Sequence, residues 1–166
     1  MSEKRIREIL STDFLCVETS CPLPEAINLL CDLNSKDSVP KTLVVFDRNQ
    51  VFWGLITLEC ILENVRPPFM RHSREGETVT WNGLLTESCR NATGLRVEDV
   101  VDRTVPRLHP EDRVIKAVDL LLRTHHRELP VLEDGKIIGV LHAGDVILEI
   151  KAVIAHSSGK LEGFGS

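Results

Sequence analysis

Three groups of side chains in this 166-residue chain have the types and spacing for chemistry. Asp145 follows a strand-like run and opens a helical one, where a carboxylate can accept two donors or hold the positive end of the helix. The run His125-His126-Arg127 combines a guanidinium, with its fixed fork of donors, and imidazoles that charge readily beside an anion. Arg66, Arg71, His72 and Arg74 form a second basic stretch, weaker as a ligand contact. Cys16, Cys21, Cys31, Cys60 and Cys89 are odd in number and lack CxxC spacing. They read as reduced, mostly core or half-buried thiols of a cytoplasmic protein, and a thiol or metal sensor built on Cys16, Cys21 and Cys31 is disfavoured. No GxSxG, HExxH, P-loop or paired-carboxylate motif is present, so the chain does not read as an enzyme, and no metal or catalytic cofactor is expected.

The elements that position these groups occur twice. Ile6–Cys31 lies over Val97–Leu122 at constant offset without a gap. Ile6, Ile9, Phe14, Val17, Leu23, Ala26, Ile27 and Leu30 fall on Val97, Val100, Val105, Leu108, Val114, Ala117, Val118 and Leu121. Further on, Gly54-Leu55-Ile56-Thr57 falls on Gly139-Val140-Leu141-His142. A long unit present only twice points to two halves packed face to face, with a cleft between them where a ligand would go.

In the second copy, Val97–Val101 predicts a helical turn and Val105–Leu108 a brief strand. His109-Pro110-Glu111-Asp112 opens a helix whose buried stripe is Val114, Ala117, Val118, Leu121 and Leu122. Leu129–Leu132 and Ile137–Leu141 predict a hairpin turned by Asp134-Gly135, and Val146–Ala155 a closing helix. The first copy repeats the order, with a helix stripe at Leu23–Cys31, strands at Thr42–Phe46 and Val51–Ile56, and a closing helix at Leu58–Val65. Its loop 34–41 is longer than the counterpart 124–128. An insert helix is expected over Thr80–Ala92, with Trp81, Leu84, Leu85 and Cys89 on one side. The division is 1–66 for the first repeat with its lead-in, 67–95 for the insert, 96–156 for the second repeat and 157–166 for a flexible tail.

Composition narrows the class. With 42% hydrophobic and 27% charged residues the chain reads as an ordinary globular protein. A net charge of −5 and the absence of tyrosine speak against nucleic-acid binding. No apolar run approaches the roughly 18 residues of a membrane span, and Met1-Ser2-Glu3-Lys4-Arg5 lacks the apolar core of a signal peptide.

The pattern resembles a stand-alone tandem pair of CBS domains, a Bateman module. The residues that carry the likeness are Val97–Val101, the helix around Ala117, Leu129-Pro130-Val131, the Asp-Gly hairpin and Gly139–Asp145. The resemblance implies an α/β (α+β) fold of two pseudo-symmetric repeats, each strand-helix-strand-strand-helix, packed through their sheets. It implies a regulatory, nucleotide-binding module for an adenosine ligand, namely AMP, ADP, ATP, S-adenosylmethionine or NAD. Such modules signal to a target protein, here a separate one, and frequently form flat dimers, so a homodimer is expected. The resembled motif is Gly-x-x-Thr/Ser-x-x-Asp, its hydroxyl near phosphate and its carboxylate on the ribose hydroxyls. Here it is split. Asp145 holds the acid but His142 replaces the hydroxyl, while Thr57 is present but Cys60 replaces the acid. The resemblance assigns phosphate contact to His126 and Arg127, with His125 and His142 beside them, and the adenine slot to Val105, Leu108, Leu129, Pro130 and Val131. Two plainer readings stand beside these roles: Asp145 and Thr57 as helix caps, and the apolar five as core. A structural or dimerisation module with a degenerate cleft is the alternative function.

Overall fold

The structure is a computed structural model that describes residues 3–31, 42–71 and 81–162. The long loop expected at 34–41, and His72 and Arg74 of the basic insert, lie outside the described residues. The fold is mixed α/β, and the chain divides into two compact units, Leu15–Thr104 and Met1–Phe14 with Val105–Ser166.

The first unit holds β1 (Leu15–Glu18), α1 (Leu23–Leu30), β2 (Leu43–Phe46), β3 (Phe52–Ile56), α2 (Leu58–Val65), α3 (Leu84–Ala92) and α4 (Val97–Val100). β1 runs parallel to β2, and β2 pairs antiparallel with β3, so α1 is the crossover that a parallel pair requires. The β2–β3 turn is set by Asp47, whose Oδ1 accepts the Asn49 and Val51 N–H groups at 2.8 and 2.9 Å. α1 buries Leu23, Ala26 and Leu30 at the helical spacing the sequence shows, against Val17, Leu43, Val45 and Ile56 of the sheet.

The insert helix is shorter than expected, starting at Leu84 after Gly83, which takes φ 72°. Its inward face differs too. Ser88 and Ala92 are buried, while Trp81, Leu85 and Cys89 are exposed. Small side chains let α3 settle close against α2, which larger ones on that face would hold off.

The second unit holds β4 (Glu128–Glu133), β5 (Lys136–His142), α5 (Val114–Thr124) and α6 (Ala143–Glu162). Asp134 and Gly135 both have positive φ, 53° and 78°, the geometry of the tight hairpin turn their identities predict. His109–Asp112 forms a turn ahead of α5 rather than its first residues. There Asp112 Oδ2 accepts the His109 N–H at 2.8 Å, and His109 Nδ1 accepts the Glu111 N–H at 3.1 Å. The brief strand expected at Val105–Leu108 is reduced to one parallel bridge, Leu108 to Val131. Pro130 O accepts the Leu108 N–H, and Leu108 O accepts the Leu132 N–H. Pro106, with no N–H to give, does not extend that ladder.

Two expected boundaries change. The lead-in of each sequence repeat belongs to the other unit. Ser11 and Val140 exchange both backbone hydrogen bonds, at 3.0 and 2.9 Å, and Asp112 O and Pro110 O accept the Ile6 and Arg7 N–H groups. Correspondingly, Asp102 and Leu55 exchange hydrogen bonds, and Cys21 O and Thr19 O accept the Val97 and Glu98 N–H groups. Gly139 and Gly54 permit this approach. A β-carbon on Gly139 would meet Leu10 and lie 2.6 Å from Ser11 O, and one on Gly54 would meet Asp102 O and lie 2.8 Å from Val101 Cγ2. The second change is at the C-terminal end. α6 continues through Glu162, into the stretch expected as a flexible tail, because the helix ladder runs on past its apolar face.

Candidate functional site

The second unit builds its candidate site where β5 hands over to α6. The strand ends at His142, and the Ala143 N–H donates to Arg127 O at 2.8 Å. Glu128 stands opposite His142 in the register. The backbone therefore brings His126, Arg127, His142 and Asp145 to one edge of the unit. Arg127 is exposed and the other three are half-buried. His125 caps the end of α5 in a left-handed conformation, φ 58°, and is exposed.

Asp145 has a structural duty as well. Its Oδ2 accepts the His142 N–H at 2.9 Å, tying the third residue of the helix to the residue just before it. Thr57 does the converse in the other unit. Its Oγ1 accepts the Cys60 N–H at 3.3 Å and lies 3.3 Å from Cys60 Sγ, while the Cys60 thiol donates to Leu55 O at 3.7 Å. Each repeat thus keeps one half of a capping box, the reciprocal pair in which first and third partners hold each other's N–H. A split motif is a split cap. Thr57 is buried and committed to its own helix.

The five apolar candidates are core. Val105, Leu108, Leu129, Pro130 and Val131 are all buried, and the amide of Leu108 and carbonyls of Leu108 and Pro130 are engaged in the bridge between them. Of the second basic stretch, Arg66 is ion-paired with Glu63 at 2.7 Å.

Sequence reasoning missed a stack in the first unit, where the Arg103 guanidinium lies 3.6 Å above the Trp53 ring centroid. Only the pairing of Leu55 with Asp102 brings these two together, and no local pattern signals it. Beside them Asp102 Oδ1 accepts both the N–H and the hydroxyl of Thr104, at 2.8 and 2.7 Å.

The cysteines are more exposed than expected. All five are free thiols; Cys16, Cys31 and Cys89 are exposed, and Cys21 and Cys60 half-buried. On β1 only Val17 is turned to the core, Cys31 follows the end of α1, and Cys89 is on the outer face of α3. Desolvation pushes the Cys16 thiol up, and desolvation followed by nearby Glu25 pushes Cys21 up, so neither favours the reactive thiolate. Among the described residues no group of three or more His, Cys, Asp or Glu side chains could hold a metal ion, and no helix is long and apolar enough to cross a membrane.

Two sequence-related α/β units, each with its hairpin feeding a closing helix, define a paired-repeat module of the CBS type. Residues 97–152 match the family model of the CBS domain, and the chain carries that domain there. A search of curated proteins finds no match. The fold is similar to that of a CBS-domain-containing protein from Agrobacterium tumefaciens, at 17% identity, 87% of this chain, 92% of that one and TM-score 0.65. It is similar to the putative acetoin utilization protein AcuB from Vibrio cholerae, at 12% identity, 95% and 98% coverage and TM-score 0.65. It is also similar to CBSX2, solved in complex with AMP, at 21% identity, 90% and 98% coverage and TM-score 0.64. At these identities the likeness is one of fold.

Proposed function

We propose that this chain is a regulatory module, not a catalyst, that senses an adenosine-containing ligand through its second repeat and signals to a separate protein. The observation that carries the reading is Asp145, fixed by its own cap at the edge that His126, Arg127 and His142 share along the backbone. An ionised carboxylate offers about four lone-pair sites. The His142 N–H uses one of them, and the others remain suited to a pair of ribose hydroxyls. The cap also holds the carboxylate in place before any ligand arrives, which lowers the ordering cost of binding. Arg127 supplies a planar fork for phosphate, and His126 and His142 add donors beside it. Support from outside the chain comes from the AMP bound to CBSX2. Regulation follows if the ligand favours one of two conformations and the partner reads the difference.

A second reading, a structural module that binds no nucleotide, is favoured by the burial of all five residues expected around adenine. Thermal unfolding against AMP, ADP, ATP, S-adenosylmethionine and NADH separates the two. A ligand at 100 times its dissociation constant adds about 2.7 kcal/mol, which raises the midpoint of a chain this size by roughly 5–11 °C. Asp145→Asn keeps a neutral cap acceptor while weakening the ribose contact, so it abolishes the ligand shift with little change in the ligand-free midpoint. Asp145→Ala also loses the cap, at about 0.5–2 kcal/mol. No shift with any of the five ligands would leave the structural reading.

A further inference from the structure

Six asparagines occur in the chain, and five of them lie among the described residues. An asparagine side chain is open to attack by the backbone nitrogen of the next residue when that nitrogen is not held in a hydrogen bond and no side chain shields it. Four of the five fail on the first condition. Asn28, Asn64 and Asn91 sit inside α1, α2 and α3, where the N–H groups of Leu29, Val65 and Ala92 belong to the helix ladder. Asn64 is held further, since its Nδ2 donates to Cys60 O at 2.7 Å. Asn49 lies in the β2–β3 turn, but there the Gln50 N–H donates to Asp47 O at 3.1 Å.

Asn82-Gly83 differs on both conditions. The pair forms the exposed turn before α3, closed by the Leu84 N–H, which donates to Trp81 O at 3.3 Å. The Gly83 N–H donates to no described residue. Gly83 takes φ 72° and ψ 0°, a left-handed conformation that a β-carbon disfavours, so the turn itself calls for a glycine there. The space around it is open, since a β-carbon built on Gly83 would meet nothing within 4 Å. The shape that starts α3 therefore leaves an unshielded nitrogen beside an exposed amide.

We infer that Asn82-Gly83 is a self-modifying site, where the chain converts its own amide to a carboxylate with water as the co-reactant. The Gly83 nitrogen attacks Cγ of Asn82 and loses its proton as the N–Cγ bond forms. The Cγ–Nδ2 bond breaks, and Nδ2 leaves with that proton as ammonia, closing a five-membered succinimide ring. Water then opens the ring at one of its two carbonyls. Breaking the bond from nitrogen to Cγ gives an aspartyl residue at position 82. Breaking the bond from nitrogen to the main-chain carbonyl gives an isoaspartyl residue, linked onward through its side chain.

Both products add one negative charge to the chain's −5, beside the positive end of α3. The isoaspartyl product also lengthens the main chain by one atom between Trp81 and Leu84. Trp81, Leu84 and Leu85 line a cavity of about 300 Å³ opposite Leu62 and Val65 of α2. The longer turn moves one wall of that cavity relative to the other, so the modification reshapes a surface of the first unit as well as charging it.

The test is incubation of the folded native chain in neutral and in mildly alkaline buffer, followed by site-resolved peptide mapping with tandem mass spectrometry. Isoaspartate in each peptide is read by its methylation with an isoaspartyl methyltransferase. The expected result is the mass gain of an amide-to-acid exchange at Asn82, faster at the higher pH, with isoaspartate in the same peptide. Asn28, Asn49, Asn64 and Asn91 are expected to stay unchanged over that time. Asn82→Gln, whose longer side chain would have to close a larger ring, is expected to show no mass gain at position 82, and circular dichroism confirms that it folds. Conversion of Asn82 in urea but not in the folded chain overturns the inference. So does conversion of any of the other four as fast as Asn82 in the folded chain, and so does aspartate at position 82 without isoaspartate, which would mean direct hydrolysis with no ring.

Discussion

The two repeats share one plan and differ in how each finishes its sheet, caps its closing helix and packs its helices. The first unit has a full parallel strand, β1, where the second has a single bridge at Leu108. The first caps α2 with the hydroxyl of Thr57, the second caps α6 with the carboxylate of Asp145. The first packs an added helix, α3, against α2, whereas α6 of the second is longer and keeps aliphatic residues exposed. Scaffold positions agree between the repeats and edge positions differ. Gly54 and Gly139 still do the same work, because the backbone approach they allow tolerates no β-carbon. The first repeat has become the more finished body. The second places acidic and basic residues, Asp145 with His126, Arg127 and His142, at one edge.

The sharpest way to break this comparison is through the exchanged lead-ins. Ile6 is fully buried yet belongs by sequence to the first repeat and by packing to the second. Ile6→Ala is expected to cost about 2–5 kcal/mol. In hydrogen exchange the loss appears in β4, β5 and α5. Loss confined to β1–β3 would contradict the exchange. Val97→Ala, its equivalent, shows the reverse pattern.

Next in size are the glycines. Gly139→Ala forces Leu10 and Ser11 away and costs about 1–3 kcal/mol. Gly144→Ala, where a β-carbon meets nothing within 4 Å, gains about 0.5–1 kcal/mol in the helix. Thermal midpoints that move the same way for both would remove the close-approach explanation.

The smallest effect is acid sensitivity, which should belong to the second repeat. Asp112 occupies the position held by Cys21 in the first. Burial pushes the Asp112 carboxyl up. The His109 N–H and the Lys116 ammonium at 3.0 Å outweigh it and hold the group below its ordinary value. A lowered carboxylate stabilises the fold above its unfolded pKa, and that contribution disappears as pH falls through the lowered value. Lys116→Met is therefore expected to flatten the acid limb of the stability profile, read by urea unfolding between pH 5 and about 2. An unchanged limb would show that the ion pair contributes nothing there.

Much of this architecture is legible in the sequence. Periodicity gives the helices α1 and α5, though of the buried stripe expected on α5 only Ala117 is fully buried and Leu122 is exposed, and the Asp-Gly pair gives the β4–β5 turn, because both depend on neighbours in the chain. Asp145 stands out for the same reason: an acid beside a strand end is a local signal. The exchange of lead-ins is invisible, since Ile6 and Val97 look alike and either could fill either core. The inward face of α3 is misread because large apolar residues draw attention while the contact is made by Ser88 and Ala92. The thiols are misread for a related reason. Apolar character suggests burial, but Cys31 and Cys89 lie beyond or outside the faces that pack.

The exchanged lead-ins also impose an order on biosynthesis. Leu15–Thr104 is one unbroken stretch, so the first unit is complete as soon as that stretch leaves the ribosome. Residues 3–14 emerge earlier still, but their partners around Pro110 and Val140 are made only after that stretch. Until then the segment carrying Ile6, Ile9 and Leu10 lacks its partners and is tethered to a unit that can already fold. Vectorial synthesis thus lets the first unit fold before the second can close, and the second closes by a loop that contains the whole of Leu15–Thr104.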